Sequence, residues 1–186
     1  VTLQPAILVV FGGLPGVGKS SIARALLTQC TAFYLRIDTI EQSLRESGAL
    51  ANDVGAAGYM TAYALAEANL QQGHVVVADC VNPLPVTREA WRDVARRTRS
   101  RLLEIEVVCS DRNVHRQRVE SRQSDVVGLR VPDWASVLAH DYVAWTEPHW
   151  VIDSAVLSPQ QAVTQIMAGL SHSLQASPMR HEARGL

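Results

Sequence analysis

The run Gly13-Leu14-Pro15-Gly16-Val17-Gly18-Lys19-Ser20 fits the pattern G-x-x-x-x-G-K-[ST]. Glycines at those places let backbone N–H groups converge on a polyphosphate, and a helix starting at the end of the run turns its positive pole toward the anion. Within the pattern Lys19 reaches the β- and γ-phosphates of a nucleotide, the Ser20 hydroxyl ligates Mg²⁺, and Ser21 carries the nucleotide-binding stretch into the helix. A chance match in a chain of 186 residues has odds of about one in a hundred. The apolar run before the pattern and the helical spacing after it lower those odds, which leaves an unliganded Gly-rich turn as the weaker reading. Sixteen of the seventeen basic residues are arginine, and the single lysine is Lys19. A compact ammonium suits the phosphates where a planar guanidinium fits poorly.

What separates kinases from switches and motors on such a loop is the chemistry facing the terminal phosphate. Asp38 follows the apolar segment 32–37. Ligands of open parallel sheets gather beyond the carboxyl ends of the strands, so Asp38 should share a crevice with Lys19 and accept a proton from an attacking hydroxyl. The bland alternative is that it caps a helix beginning at Thr39. Asp79 ends the strand-like run Val75-Val76-Val77-Ala78 and reads either as an acid that holds Mg²⁺, directly or through water, or as a turn residue. Asn82, beside Pro83 and Pro85, reads as part of the turn.

Arg118 and Arg122 stand four residues apart, on one face of a helix expected over 112–123. They either close as a lid on the transferred phosphoryl group or form a solvated face, and Arg130 is a further lid candidate. Arg88, Arg92, Arg96 and Arg99 make a stripe that reads as the watered side of an amphipathic helix, with a polyanion track as the minority reading. His74, His115, His140 and His149 show no zinc-binding spacing. Trp134, Trp145 and Trp150 read as packing residues.

These side chains need elements to hold them. Residues 7–11 are short, β-branched and bounded by Gly12-Gly13, which predicts a strand buried on both faces, and 20–30 follow with helical spacing. Further strands are expected at 32–37, 74–78, 102–108 and 150–152. Helices are expected at 56–71, at 87–99 with Thr87 as cap, and at 112–123, 132–145 and 159–174. The alternation predicts an α/β, P-loop NTPase fold: a five-stranded parallel sheet with helices on both faces, right-handed crossovers, and a small helical lid over about 112–131. One domain is expected over 1–176, with a flexible tail at 177–186.

The composition, 47% hydrophobic and 19% charged at a net charge of −1, fills a core and excludes a disordered chain. Cys30, Cys80 and Cys109 form neither a disulfide framework nor a zinc pair and suit a reducing compartment. No apolar run reaches the ~18 residues of a spanning helix and the first residues lack a basic leader, so a cytoplasmic protein with no membrane association is expected. Near-neutral charge argues against bulk nucleic-acid binding, although residues 83–131 carry eleven arginines against seven acids.

Gly13 to Ser20, Arg36-Ile37-Asp38, Val77-Ala78-Asp79-Cys80-Val81-Asn82-Pro83 with Thr87-Arg88 and Trp91, and Arg118-x-x-x-Arg122 together resemble the small kinases with an AAA-like P-loop. That family is related to chloramphenicol phosphotransferase, zeta toxins and the kinase domain of polynucleotide kinases, and the likeness spans residues 6–155. The resemblance implies Asp38 as general base, Lys19 and Ser20 as phosphate and Mg²⁺ ligands, and Arg118 and Arg122 as lid arginines. In polynucleotide kinases an arginine three positions after the aspartate takes a substrate phosphate. Here Glu41 stands in that place, with Arg45 one turn further on.

The implied activity is ATP- and Mg²⁺-dependent transfer of the γ-phosphate to a hydroxyl of a small molecule, which enters between 39–60 and the lid and is lined by 47–58. One alternative is a 5′-hydroxyl polynucleotide kinase that tracks a nucleic-acid strand along the arginine stripes. Another, of a different class, is a nucleotide-binding switch or assembly ATPase. No NKxD base-specificity motif supports the switch, and oligomeric state leaves no signature in the sequence.

Overall fold

Strand β1 (Ile7–Gly12) lies at the middle of the sheet, and its side chains alternate between two apolar cores, Val9 and Phe11 in one, Leu8 and Val10 in the other. An apolar, β-branched run is what a strand covered on both faces requires. Around it β2 (Phe33–Arg36), β3 (Val75–Asp79), β4 (Arg101–Val108) and β5 (Trp150–Asp153) pair in the order β2-β3-β1-β4-β5, all parallel. The expected five-stranded parallel sheet is therefore present. The computed structural model describes residues 6–50 and 53–175, and the tail expected at 177–186 lies outside them.

Helices α1 (Lys19–Leu27) and α7 (Pro159–Gln175) cover the Val9 face through Ile22, Leu26, Val163 and Ile166. Helices α3 (Ala57–Gln71) and α4 (Pro85–Thr98) cover the Leu8 face through Ala62, Ala66, Leu70 and Trp91. Small buried residues on α3 let it pack against both α4 and α2 (Ile37–Glu46). Each fully buried Leu, Ile or Val contributes about 1.5–3 kcal/mol, so the two layers hold β1, and with it the start of the glycine-rich loop, in place. Helix α5 (Arg112–Ser121) is capped by Asp111, whose carboxylate accepts from Asn113 N at 2.9 Å and Val114 N at 3.1 Å. Among the described residues no helix is long and apolar enough to cross a membrane.

Three expectations are corrected. The helix expected over 132–145 is short: α6 (Trp134–Leu138), capped by Asp133 through Ser136 N at 2.8 Å. Beyond it the chain is held by tertiary bonds that outbid local helicity. Val143 N donates to the Pro83 carbonyl at 2.9 Å, Arg88 donates to the carbonyls of Val143 and Ala144, and Tyr142 donates to Glu106 at 2.7 Å. Secondly, α4 starts at Pro85, whose ring suits a first helical turn, so Thr87 is not its cap.

Thirdly, the arginine stripe is a solvated face only in its second half: Arg96 and Arg99 are exposed, whereas Arg88 and Arg92 turn inward. Arg88 is only 3% exposed. Besides Val143 and Ala144 it donates to the Asn82 carbonyl at 3.1 Å and the Pro83 carbonyl at 2.7 Å, and its guanidinium lies 4.7 Å from the Trp145 ring centre. Arg92 donates to buried Glu104 of β4 at 2.8 Å. Only further along does the helix show outward pairs, Arg96 with Glu89 and Asp93, and Arg97 with Glu67.

Arg88→Gln should lower unfolding stability by about 3 kcal/mol, since it strands several buried carbonyls at once. Urea unfolding reads the change in midpoint, and a shift of a few tenths would show that water replaces the guanidinium there.

Candidate active site

The loop of residues 13–18 leaves β1 and returns as α1. Gly16 has φ 85°, and a side chain there would run into Val119 of α5, so backbone conformation and close approach both demand glycine. Gly13 N donates to the Val81 carbonyl at 2.9 Å, which fastens the loop to the end of β3. Pro15 offers its carbonyl to His115 Nε2 at 2.8 Å, while Val17 and Leu14 anchor the loop in the Val9 core. Gly18, the N-cap of α1, brings no capping side chain, which suits the helix start to an anion.

Lys19 is 8% exposed, and its ammonium donates to the carbonyls of Gly13 at 2.7 Å and Leu14 at 2.9 Å. Burial pulls its pKa down, Asp79 and Asp38 pull it back up, and Arg122 adds to the lowering. Lys19, Ser20, Asp38, Asp79, Arg122 and Arg130 border one cavity of about 90 Å³. The β2–β3 register sets Arg36 beside Asp79, so the two acids stand at neighbouring strand ends.

Asp38 lies in the first turn of α2, whose N-cap is Arg36 without a capping side chain. The helix thus begins two residues before the expected Thr39, and Asp38 is not its cap. Its carboxylate stands 3.5 Å from Arg36 Nη2, with 41% of the side chain exposed. Asp79 is buried and accepts the Tyr34 hydroxyl at Oδ2, 2.6 Å away. Burial, then the Asp79 charge, push the Tyr34 pKa up, so that hydroxyl stays a donor. Ser20, Asp38 and Asp79 offer hard oxygen donors that fit Mg²⁺. Among the described residues no three His, Cys, Asp or Glu side chains gather to hold a metal. The remaining ligands of a Mg²⁺ would therefore be phosphates and water, as that ion prefers.

A second cavity, about 620 Å³, also borders Lys19 and Ser20, and runs past Gly16, Gly18 and Ser21 to residues 154–159 after β5. That volume suits a nucleotide-sized ligand. Arg118 lines it, donating from Nη1 to Ser154 Oγ at 2.8 Å and from Nη2 to the Ser154 carbonyl at 3.1 Å. Arg122 borders both cavities. The two arginines therefore part company: α5 stops at Ser121, and Arg122, its C-cap, has already turned out of the helix. Residues 47–58 were expected to line the acceptor pocket. None of their described members borders the cavity at Asp38, whereas residues 129–132 do. The cause is α2, which carries the chain about 14 Å along its axis before that segment begins.

Residues the sequence reading passed over hold the site together. His115 docks α5 on the loop and meets the Trp134 ring edge-on at 5.1 Å. Asp125, in the segment after α5, accepts from Arg24 Nη1 at 2.6 Å and from Arg36 Nη1 at 2.8 Å on each oxygen. Its only sequence signal is an acid standing among the arginines of 118–130. Desolvation works against its charge, but hydrogen bonds from Arg36 and Arg24 outweigh it and hold the pKa at about 2.

A family model described as an AAA domain matches residues 8–137. No curated protein matches the sequence. The APS kinase of Mycobacterium tuberculosis, solved in complex with AMPPNP and APS, superposes with TM-score 0.67 at 18% identity, over 90% of this chain and 99% of that one. A gluconokinase from Sinorhizobium meliloti 1021 gives 0.62 at 19% identity, over 93% and 98%. A sugar kinase from Janibacter sp. HTCC2649 gives 0.66 at 15% identity, over 95% and 100%. At such identities the likeness establishes a shared fold.

Because the folded pKa of Asp125 is depressed, the stability its ion pairs contribute is present above the ordinary carboxylate range and is lost as pH falls through about 2. The melting-temperature gap between the wild type and Asp125→Asn should hold from about pH 7 to pH 5 and close toward pH 2. A gap that does not change with pH would show that the pairs do not form in solution.

Proposed function

The chain belongs to the AAA-domain family, and on that premise we propose that it is an ATP- and Mg²⁺-dependent kinase that transfers the γ-phosphate to a hydroxyl of a small molecule. The observation that carries this reading is the single cavity bordered by phosphate-loop Lys19 and by Asp38. An acid on the acceptor side of the loop is what phosphoryl transfer to an alcohol needs and what nucleotide binding alone does not.

The nucleotide fills the part of the larger cavity bordered by residues 16–21 and 154–159, its phosphates on the loop and its far end where Arg118 is moored, and leaves the part bordered by Arg24, Arg36 and Asp125 open to the acceptor. The acceptor hydroxyl lies against Asp38, which orients it and takes its proton as the new oxygen–phosphorus bond forms and the bond to the β–γ bridging oxygen breaks, releasing ADP. Lys19 and Arg122 stand where the moving phosphoryl group builds charge, in a cleft whose low dielectric strengthens them. Ser20 and Asp79 would hold Mg²⁺, with Tyr34 steadying the Asp79 carboxylate. Bound there, the ion offsets phosphate charge. Residues 129–132 border the acceptor cavity and limit the entry of competing water.

A small acceptor is favoured over a polynucleotide because the α4 arginines are engaged. Arg88 is buried, Arg92 is paired with Glu104, and Arg96 and Arg97 are paired with acids of α4 and α3. The solved relatives named APS kinase, gluconokinase and sugar kinase support the same choice.

Asp38→Asn should bind a fluorescent ATP analogue as the wild type does while turnover falls about 10²–10⁴-fold. An ADP-release assay run on sugars, sugar acids, nucleosides and oligonucleotides measures it. Unimpaired turnover would remove Asp38 as base, and transfer to oligonucleotides alone would overturn the small acceptor.

A further inference from the structure

The larger cavity is lined by Lys19, Arg24, Arg36, Arg118 and Arg122, with Asp125 as its one acid. Arg36 is the unusual member. It is 7% exposed, and its bonds to Asp125 use a single nitrogen, Nη1. Its other edge, Nε and Nη2, is buried without a hydrogen-bond partner, and Nη2 makes only a 3.5 Å charge contact with Asp38. The edge formed by Nε and Nη2 is a fork that can grip a carboxylate or phosphate through two parallel bonds. An ion pair that served stability alone would use that fork, because leaving buried donors unmatched is costly.

We propose that Arg36, assisted by Arg24, is an anion subsite for the acceptor: the alcohol substrate carries a carboxylate, phosphate or sulfate group, and the Asp125 carboxylate, held on Arg36 Nη1 and on Arg24, competes for the same two guanidinium groups when no substrate is present. Three features converge. Two arginines from different elements, α1 and the end of β2, meet on one carboxylate that itself borders the cavity. The free fork of Arg36 is adjacent to Asp38, so a group held there lies within a few bonds of the hydroxyl held by Asp38. The competing carboxylate comes from the segment after α5, so an anion that draws the two arginines away from Asp125 also frees the segment bordering both cavities. The subsite rests on the kinase reading only in calling its occupant the acceptor.

The test is calorimetric titration of sodium sulfate into protein saturated with a non-hydrolysable ATP analogue and Mg²⁺, which keeps sulfate off the phosphate loop. Asp125→Asn should bind sulfate about tenfold more tightly than the wild type, because the internal competitor is gone. Arg36→Gln in that background should abolish binding, and Arg36→Lys, which keeps the charge and loses the fork, should weaken it, with circular dichroism confirming that each variant folds. Equal affinity in wild type and Asp125→Asn, or binding that survives Arg36→Gln, overturns the subsite. Sulfate excluded by the analogue, together with weakened analogue binding in Arg36→Gln, overturns the acceptor assignment in favour of the nucleotide. If the analogue does not bind at all, the kinase reading fails. The same comparison in the nucleotide-free Lys19→Ala background then still decides the subsite. In transfer assays, matched sugar acids should exceed neutral sugars in kcat/KM, and Arg36→Gln should level the two.

Discussion

One positive charge held out of water organises the cleft. The Lys19 ammonium is buried at the tip of the central strand, where a lone cation is strongly disfavoured unless oxygen atoms surround it. The loop carbonyls of Gly13 and Leu14 supply the nearest oxygens, and the charges of Asp79 and Asp38 supply the rest. The acids assigned to phosphoryl chemistry in the proposed reaction are thus the same acids that make a buried lysine tolerable. Strand order β2-β3-β1 follows as a requirement, since it brings the ends of β2 and β3 to the side of the loop.

Over this rigid floor the segment that follows β4 is fastened at separate points. His115 meets the loop at Pro15, Arg118 meets Ser154, Asp125 meets Arg24 and Arg36, and Gly128 sits against Gln42 and Glu46 of α2. Most of these contacts are polar and partly watered, and such contacts open at small cost, whereas the apolar layers beneath them do not. The architecture separates an apolar floor from a cover fastened by polar contacts, which is the division the proposed transfer reaction calls for if substrate is to enter and water then be excluded.

Much of this was legible in the sequence because it rests on local periodicity. The run from Ile7 to Phe11, the glycine pattern and the helical spacing from Ser20 onward are contiguous signals, and they place Lys19 and Ser20 where α1 begins; β2 ends one residue short of the expected strand because α2 takes Ile37. The errors have one cause. Periodicity tells which face of a helix a residue takes, but not which distant atom waits there. Arg88 looked solvated like the outer arginines of its stripe because its carbonyl partners at 143 and 144 lie more than fifty residues away, and the same bonds ended α6 early. Arg118 and Arg122 looked equivalent until the partner of the first proved to be Ser154 and α5 proved to stop before the second. Asp125 left only the faint mark of an acid among arginines, since its partners Arg24 and Arg36 are 101 and 89 residues away along the chain.

The solitary lysine has a consequence for chemical labelling. Acylating and alkylating reagents attack the neutral amine, and within this chain every ε-amino group they can find is the one at position 19. Burial raises its neutral fraction while shutting reagent out, so its rate of modification reports how often the cradle breathes open. A protein with amines scattered over its surface would drown that signal; this one carries a built-in gauge.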